Sequence, residues 1–359
     1  MTDIPDPTLI LDPITPPRPG GSGGPGGLGG PDDLGHLAAL ARQWLGQVRV
    51  GEPQVFKNLA VFPLERSDRG DDVYMTLDEA LKAGSFSVRE VSESGAVPEL
   101  VAVNQGSRPV LLVDGEELVG AKQNRIINIT ILVPAKREVL IPVSCVEQGR
   151  WGYRSRHFES ADHIYNARSR GMKSAQVSES MHSGRGAASD QLSVWDEVAA
   201  QSGRMMNSDS PTAAMSDVYE SHRTTLDEYV TAFSSSSGQV GAVFAIDGKM
   251  VGMDAFSCQR PYAAMLPKII RSYALDAIDI DSEATGPEAA ATRALPPQAD
   301  VAREFIDELC RAEAEVYPAV GAGKDLRLHN KNLSGGVLLA EGRLVHVCAF
   351  ALGWGPTAY

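Results

Sequence analysis

The sequence predicts an α+β fold. A β-rich N-terminal half, sandwich-like or built as a curled sheet, is joined through a helical segment to a C-terminal half of two β-hairpins with covering helices. Three observations predict it. Between Val55 and Val146 the chain is a series of short β-type runs, VFKNLAVFPL, SVREV, ELVAVNQ, RPVLLV, RIINITILV and EVLIPVSCV, bounded by Gly, Pro, Ser or charge. Further on, GAVFAIDGKMVGMDAF (241–256) and GGVLLAEGRLVHVCAF (335–350) align without a gap. Helical patterns at about 191–200, 211–233, 261–278 and 300–315 precede these hairpins or lie between them.

Taken in order, residues 1–33 form a Pro/Gly-rich leader (PPRPGGSGGPGGLGGP) that cannot bury enough apolar surface to offset chain entropy, so it is expected to be disordered. Its G-x-G-x-x-G (Gly21, Gly23, Gly26) is no dinucleotide fingerprint, because no strand precedes it and Pro25 sits inside it. Asp32 or Asp33 can cap a short amphipathic helix, since Leu34, Leu37, Ala38, Ala41, Leu45 and Val48 recur at helical spacing; helix and linker occupy 34–51. One domain is expected over 52–353, with a β-rich half at about 52–150, a loop and helical segment at about 151–235, and a hairpin–helix half at about 236–353. In TLDEALKAG, Thr76 caps a short helix, Glu79 completes a capping box and Gly84 ends it. The helix at 211–233 carries Met215, Val218, Tyr219, His222, Leu226, Tyr229, Val230 and Phe233 on one face, which makes His222 a core histidine. Asp247-Gly248 and Glu341-Gly342 suit type I′ turns, and both faces of each hairpin are apolar, so each should be covered on both sides. Asp114-Gly115 in VLLVDGEELVG has the same chemistry and predicts a third hairpin. Duplication and convergent hairpin grammar both account for the echo.

Composition narrows the function classes. A chain of 359 residues can bury a full core as one large domain or two smaller ones. A net charge of −13 argues against a general nucleic-acid or anionic-membrane surface, while leaving room for a local basic patch. With no basic n-region and no apolar run near 18 residues, a cytoplasmic, non-membrane protein is expected. Cys145, Cys258, Cys310 and Cys348 form no C-x-x-C and read as small buried residues in a reducing compartment. No G-x-S-x-G or H-E-x-x-H occurs, and GAGKD (321–325) lacks the rest of a P-loop.

The stretch DGEELVGAKQNRIINITILVP (114–134) sets a polar cluster ahead of a core strand. If the chain is extended from Lys122, then Lys122, Asn124, Asn128 and Thr130 share one face, while Ile127, Ile129, Ile131 and Val133 face a core. Gln123 and Arg125 fall on the other parity, at the strand's entry. One reading is a solvated outer face on which Glu116 or Glu117 pairs with Lys122 and Arg125. The other is a pocket, and Asn and Gln, disfavoured in strands, point to it. In that pocket Glu117 beside Lys122 is the general acid–base candidate, with Glu116 next to it. Lys122 and Arg125 would stabilise negative charge, and Gln123, Asn124 and Asn128 would hydrogen-bond a ligand. Arg150 and Trp151, from VEQGRW, would lie at the rim. Arg150, Arg154, Arg156, Arg168, Arg170 and Lys173 form a basic island in a weakly structured loop at 148–189, the kind of segment that supplies lids and binding arms. His157, Glu159, Asp162 and His163 match no established metal spacing, and no metal site is expected. His346 and Cys348 share a strand face, yet nothing places them with Cys145 as a Cys–His nucleophile.

The array N-x-x-x-R-P-V-L-L-x-D-G-E-E-L-V-G-A-K-Q-N-R-I-x-N (Asn104–Asn128), followed by I-P-V-S-C-V-E-x-G-R-W (Ile141–Trp151), resembles the domain named for its association with ADP-ribosylglycohydrolases and rhodanese-like phosphatases. The resemblance runs over roughly 54–352 and includes VWDEV (194–198) and both echo hairpins. It implies the handling of an NAD-derived or ADP-ribose-containing nucleotide, an association with RNA repair, and glycohydrolase or phosphatase-type enzymes as partners in the same pathway. It implies no particular reaction or cofactor. The combined expectation is a pocket for a small anionic nucleotide, which either processes that ligand or serves as a non-catalytic sensing or interaction module for a partner enzyme.

Overall fold

The computed structural model describes residues 31–67, 70, 73–205, 210–283 and 297–355. The leader ahead of residue 31 and the capping side chains offered at Asp32 and Asp33 lie outside the described residues. The chain opens with α1 (Pro31–Gly46), β1 (Arg49–Val50), β2 (Gln54–Phe56) and β3 (Leu59–Glu65). Then come β4 (Met75–Thr76), α2 (Leu77–Lys82), β5 (Phe86–Glu90), β6 (Glu99–Asn104), β7 (Val110–Leu112), β8 (Glu116–Gly120), β9 (Arg125–Ile127), β10 (Ile131–Val133), β11 (Arg137–Cys145) and β12 (Phe158–Ile164). Helices α3 (Ala167–His182), α4 (Gln191–Met205), α5 (Met215–Ser221) and α6 (Arg223–Ala232) follow. The remainder is β13 (Gln239–Ile246), β14 (Lys249–Phe256), α7 (Gln259–Glu283), α8 (Ala299–Arg311), β15 (Glu313–Pro318), β16 (Lys324–His329), β17 (Leu333–Ala340) and β18 (Arg343–Ala351).

The two echo hairpins lie side by side at the centre of a nine-stranded sheet, ordered β1-β3-β13-β14-β18-β17-β16-β15 with β2 on β3. Their turns have positive φ at both central residues, 45° and 77° at Asp247-Gly248 and 51° and 70° at Glu341-Gly342, as type I′ requires. Where β14 meets β18, Asp254 pairs with Cys348, and these two residues also occupy equivalent places in the aligned repeat. A local two-fold axis therefore passes through that pair. The relation extends outward: β3 flanks β13 as β16 flanks β17, and α1 packs on β15 and β18 as α8 packs on β1 and β14. Each copy is a helix, outer strands and a hairpin. The second copy is continuous, and the first is split after β3 and resumes at β13. This shared order, beyond the hairpins themselves, favours duplication. It also places VFKNLAVFPL in the hairpin sheet, paired along β13, and away from the other short β runs.

Alternation along the strands gives the sheet two apolar faces. One packs Phe62, Leu64, Val243 and Val347 against Ala41 and Leu45 of α1 and Phe305 and Leu309 of α8. The other packs Phe244 and Phe350 against Ile269 and Tyr273 of α7. Here α3 also comes close, since a Cβ on its Gly171 would lie 2.8 Å from that of Phe350. The remaining strands form a six-stranded sheet, β12-β8-β9-β11-β6-β5, and a small one, β10-β7-β4. The six-stranded sheet curls until its edges β5 and β12 touch, around a core of Val88, Leu100, Leu118, Ile127, Ile141 and Phe158. Ile129, Ile131 and Val133 join that core, as expected. Thr76 and Glu79 form the expected capping box on α2.

Several local expectations need correction. Val110–Val113 and the strand after Gly115 make no hairpin, because β7 and β8 belong to different sheets. Asp114-Gly115 is a corner in which only Gly115 (φ 83°) is left-handed. The strand expected from Lys122 contracts to Arg125–Ile127, because residues 121–124 bend to follow the sheet's rim. The helix expected at 211–233 breaks at His222, a half-buried residue whose Nδ1 faces the Val218 carbonyl at 3.1 Å. The supposed loop at 148–189 contains β12 and α3, and it buries Arg170 and Lys173 completely.

Candidate functional site

Antiparallel order brings the C-terminal ends of β5, β8 and β11 and the N-terminal ends of β6, β9 and β12 to one end of the curled sheet. Loops 91–98, 121–124 and 146–157 therefore share a mouth, a common place for ligand sites in curled β structures. Lys122, Gln123, Asn124, Arg125, Arg150 and Trp151 gather there. The first four are buried, and only Trp151 is well exposed.

These residues are tied to one another. The Glu147 carboxylate accepts from Arg150 Nε and Nη2 (2.8 and 2.6 Å), the Asn124 backbone N–H (3.0 Å) and Thr212 Oγ1 (2.9 Å). Burial acts to raise its pKa, but these donors outweigh burial and hold it lowered. Asn124 Oδ1 accepts from Gly120 N and Arg150 Nη2, both at 3.2 Å, while Nδ2 donates to Glu117 Oε1 at 2.9 Å. Gln123 accepts from Arg125 Nη1 (3.0 Å) and Cys145 Sγ (3.2 Å) and donates to the Glu147 carbonyl (3.0 Å). Arg125 is wholly buried, and its Nε and Nη2 have no hydrogen-bond partner among the described residues. Burial lowers its pKa. Lys122 Nζ donates to the Ser94 carbonyl (2.6 Å) beneath the rings of Trp151 and Tyr153, with centroids at 5.3 and 5.1 Å. Asn128 stands apart at the other end of β9, where its amide donates to the Ala187 carbonyl (3.1 Å) and accepts from Ser144 Oγ (2.7 Å).

Glu116 and Glu117 are neighbours on a strand and so point to opposite faces. Neither pairs with Lys122 or Arg125. Glu116 accepts from Lys268 Nζ of α7 at 3.0 Å, and that ammonium also reaches Asp78 (2.7 Å) and Ser160 Oγ (2.8 Å). Burial pushes the Glu116 carboxyl up. Burial opposes charge on Lys268 too, but its two carboxylate neighbours prevail and raise its pKa. Glu117 meets His163 Nε2 at 2.5 Å, and His163 Nδ1 meets Asp162 Oδ1 at 3.2 Å. Burial works against the imidazolium, yet Asp162 and Glu117 outweigh it and raise the pKa of His163. The hydrogen bond from His163 in turn holds Asp162 well below the usual carboxylate range. The imidazole stacks on Tyr219, with centroids 3.8 Å apart and planes at 7°.

His163 is the floor of an open cleft of about 410 Å³ between β12 and helices α5 to α7, lined also by Arg154, Arg223, Arg271 and Tyr219 and by the acids Glu159, Asp162, Asp217 and Glu220. Arg223 and Arg271 approach Asp162 Oδ2 at 3.1 and 3.8 Å. Sequence reasoning grouped His163 and Asp162 with metal-ligand types and missed their link to Glu117, which lies 46 residues away along the chain. Arg223 and Arg271 carried no local signal, because they sit on helices and only the tertiary fold brings them to β12. No cluster of three or more His, Cys, Asp or Glu among the described residues is placed to hold a metal ion.

A second polar group is sealed at the local two-fold axis. Arg170 forks onto Asp254 (3.0 and 2.8 Å) and reaches Asp114 (3.2 Å), which also takes Lys173 Nζ (2.8 Å). His346 meets Thr130 Oγ1 (2.9 Å), and burial pushes the nearby Cys348 thiol up to about 12. The Cys–His idea ends here: Cys348 is a protonated core thiol, and Cys145 belongs to the mouth, at Gln123.

Among the described residues, no helix is long and apolar enough to cross a membrane. Neither the curated proteins nor the solved structures include a match to the chain. The family model of the ARG and Rhodanese-Phosphatase-superfamily-associated Protein domain matches residues 47–350, from just before β1 almost to the end of β18, and the chain belongs to that family.

Proposed function

We propose that the protein binds an anionic NAD-derived or ADP-ribose-type nucleotide in the cleft above His163, with the mouth residues as its buried frame. The carrying observation is the Glu117–His163 contact, through which the motif's sealed carboxylate reaches an accessible surface. A phosphate in this cleft faces an imidazole whose carboxylate partners favour its charged form, and the guanidiniums of Arg154, Arg223 and Arg271, the last two shared with Asp162, Glu220 and Asp227. The volume falls within the roughly 300–1,000 Å³ of small-ligand sites.

In this reading Glu117 is the catalytic carboxylate. It holds His163 charged while Nδ1, released from Asp162, gives its proton to the oxygen that departs as a water molecule adds to the same centre, the water's own proton passing to solvent. Glu116, anchored by Lys268, fixes β8 beside it and is the second carboxylate of the proposal. Asn124 and Arg150 orient Glu117 and Glu147. Lys122, Gln123 and Arg125 complete the buried frame, Trp151 stands at its rim, and Asn128 secures the far end of β9. The family name supports a role beside ADP-ribosylglycohydrolase or phosphatase-type proteins.

One observation favours a sensing module that does no chemistry. Both nitrogens of His163 are already committed to carboxylates, so the floor offers no basic atom. Calorimetry with NAD, ADP-ribose and phosphorylated ADP-ribose tests the binding claim. At least one should bind, and Arg271→Ala should weaken it about tenfold, the loss of one charge-assisted contact; silence with all three ends the reading. Chromatography of the same mixtures then separates an enzyme, whose product Glu117→Gln abolishes, from a sensor that returns its ligand intact.

A further inference from the structure

The segment RWGYRSRH, residues 150–157, has a pattern of which the cleft uses only Arg154. Every residue from Trp151 to His157 is exposed, with Trp151 at 52% and Tyr153 at 54%. Such a segment would ordinarily be loose, but here the backbone is pinned to the motif's tip. Gly152 N donates to the Lys122 carbonyl (3.2 Å), Arg154 N donates to the Ala121 carbonyl (2.8 Å), and Ser155 Oγ accepts from Ala121 N (3.0 Å). The two rings are braced from below by a motif cation: Lys122 Nζ lies 5.3 and 5.1 Å from their centroids, and the Arg125 guanidinium is 5.8 Å from Trp151. Tyr153 Oη also donates to the Glu93 carbonyl (3.3 Å), and about half of each side chain remains open to solvent. Beside them Arg154, Arg156 and His157 have no acidic partner among the described residues, and the segment contains no acid, in a chain of net charge −13.

Two fixed aromatic faces two residues apart, flanked by unpaired guanidiniums, match a ligand that alternates flat rings with phosphates. Bases stack on such rings with little regard to sequence, and guanidiniums take the intervening phosphates. An acidic peptide would explain the arginines and leave the braced rings without a purpose. We propose that residues 150–157 are a stacking platform for single-stranded nucleic acid, with bases on Trp151 and Tyr153 and phosphates on Arg154 and Arg156. Lys122 is the positioning residue that holds both rings. The platform shares Arg154 with the cleft, but its rings and Arg156 lie outside the cleft's lining, so its binding can be read independently of His163.

The test is fluorescence anisotropy of a fluorescein-labelled octauridylate titrated with the full chain at several salt concentrations. Trp151→Ala and Tyr153→Ala should each weaken binding on the order of tenfold. Arg156→Ala should reduce the slope of log affinity against log salt by about 0.7, the value for one phosphate contact on a single strand. These side chains are exposed, so all three variants should keep the wild-type Tm, which separates lost contacts from lost folding. The proposal is overturned if octauridylate does not bind at low salt, or if the two ring variants bind like wild type. It is equally overturned if octaglutamate competes as well as unlabelled octauridylate, since charge alone would then account for the loop.

Discussion

His163 shows how one side chain is committed by its surroundings. It is buried, which alone would keep it neutral, but a carboxylate at each ring nitrogen raises its pKa. The sign of the linkage follows. A folded-state pKa above the unfolded value, about 6.5, means that the stabilisation is complete below that value and is lost as pH rises through the folded pKa. Ligand affinity in the cleft should follow the same course, highest while the imidazolium persists and falling at alkaline pH. Calorimetric titrations from pH 6 to 10 check this, and a pH-independent affinity would remove His163 from the site. Asp254 sets the other extreme, a carboxylate with no exposure that takes both arms of Arg170. Asp254→Ala leaves a buried guanidinium uncompensated and should cost about 3–5 kcal/mol in urea unfolding. At this scale the sequence is readable where chemistry is local. Glu79 three residues after Thr76 and Gly after the acid at 247 and 341 do what their spacing says. Arg170 was placed in the basic island of a loop because the carboxylates that hold it lie 56 and 84 residues away.

Helix α3 is the element whose character was hardest to read. It is polar almost throughout, yet Arg170, Lys173, Ser174, Val177 and Ser178 are all buried. Periodicity failed because the face it turns inward meets charged and hydroxyl groups: Lys173 reaches the Ile127 and Asn128 carbonyls, and Ser174 meets Arg327 and Ser334. Its N-terminus is also unusual. Asn166 makes no side-chain cap to its own helix, and instead Asp276 of α7 accepts from the Arg168 N–H (3.0 Å) and from Asn166 Nδ2 (2.7 Å). One helix thus caps another. Burial raises Asp276 to about 7, despite these donors. A raised acid gives its full stabilisation below the unfolded value near 4 and loses it as pH climbs to about 7. Stability should decline across that window in wild type, and Asp276→Asn should flatten the decline. Urea midpoints at pH 4.5, 6 and 7.5 measure it, and parallel profiles for the two proteins would show that this carboxyl does not titrate there.

For the molecule as a whole, the organising fact is a sheet made of two copies related by a local two-fold axis. Hairpins were legible because their turns are short and their strands apolar; the pairing between them was not, because it joins residues nearly a hundred positions apart. The mouth was legible only as a cluster of residue types. Its closure around Glu147 and its outlet through His163 depend on strands that curl and helices that arrive from elsewhere. One consequence concerns α1, which lies outside the matched family range of 47–350 yet serves as the counterpart of α8. Removing residues 1–46 strips Ala38, Ala41 and Leu45 from the face bearing Phe62 and Leu64, and should cost on the order of 3 kcal/mol. Thermal unfolding with dye binding to the bared face checks it, and an unchanged Tm would show that the helix is dispensable.

Glu65 and Gln239 face each other across β3 and β13, with the Arg66 N–H on the Gly238 carbonyl at 2.9 Å, so the long intervening segment leaves and rejoins the sheet at a single point. That geometry sets a timetable. Strands β16 to β18 find their neighbours within a few residues, while β3 must wait for an excursion of many tens of residues to close, an entropic delay that grows with length. Pulse-labelled hydrogen exchange during refolding should therefore mark the continuous copy as sheltered first, with the split copy completed only once the segment between its halves has folded.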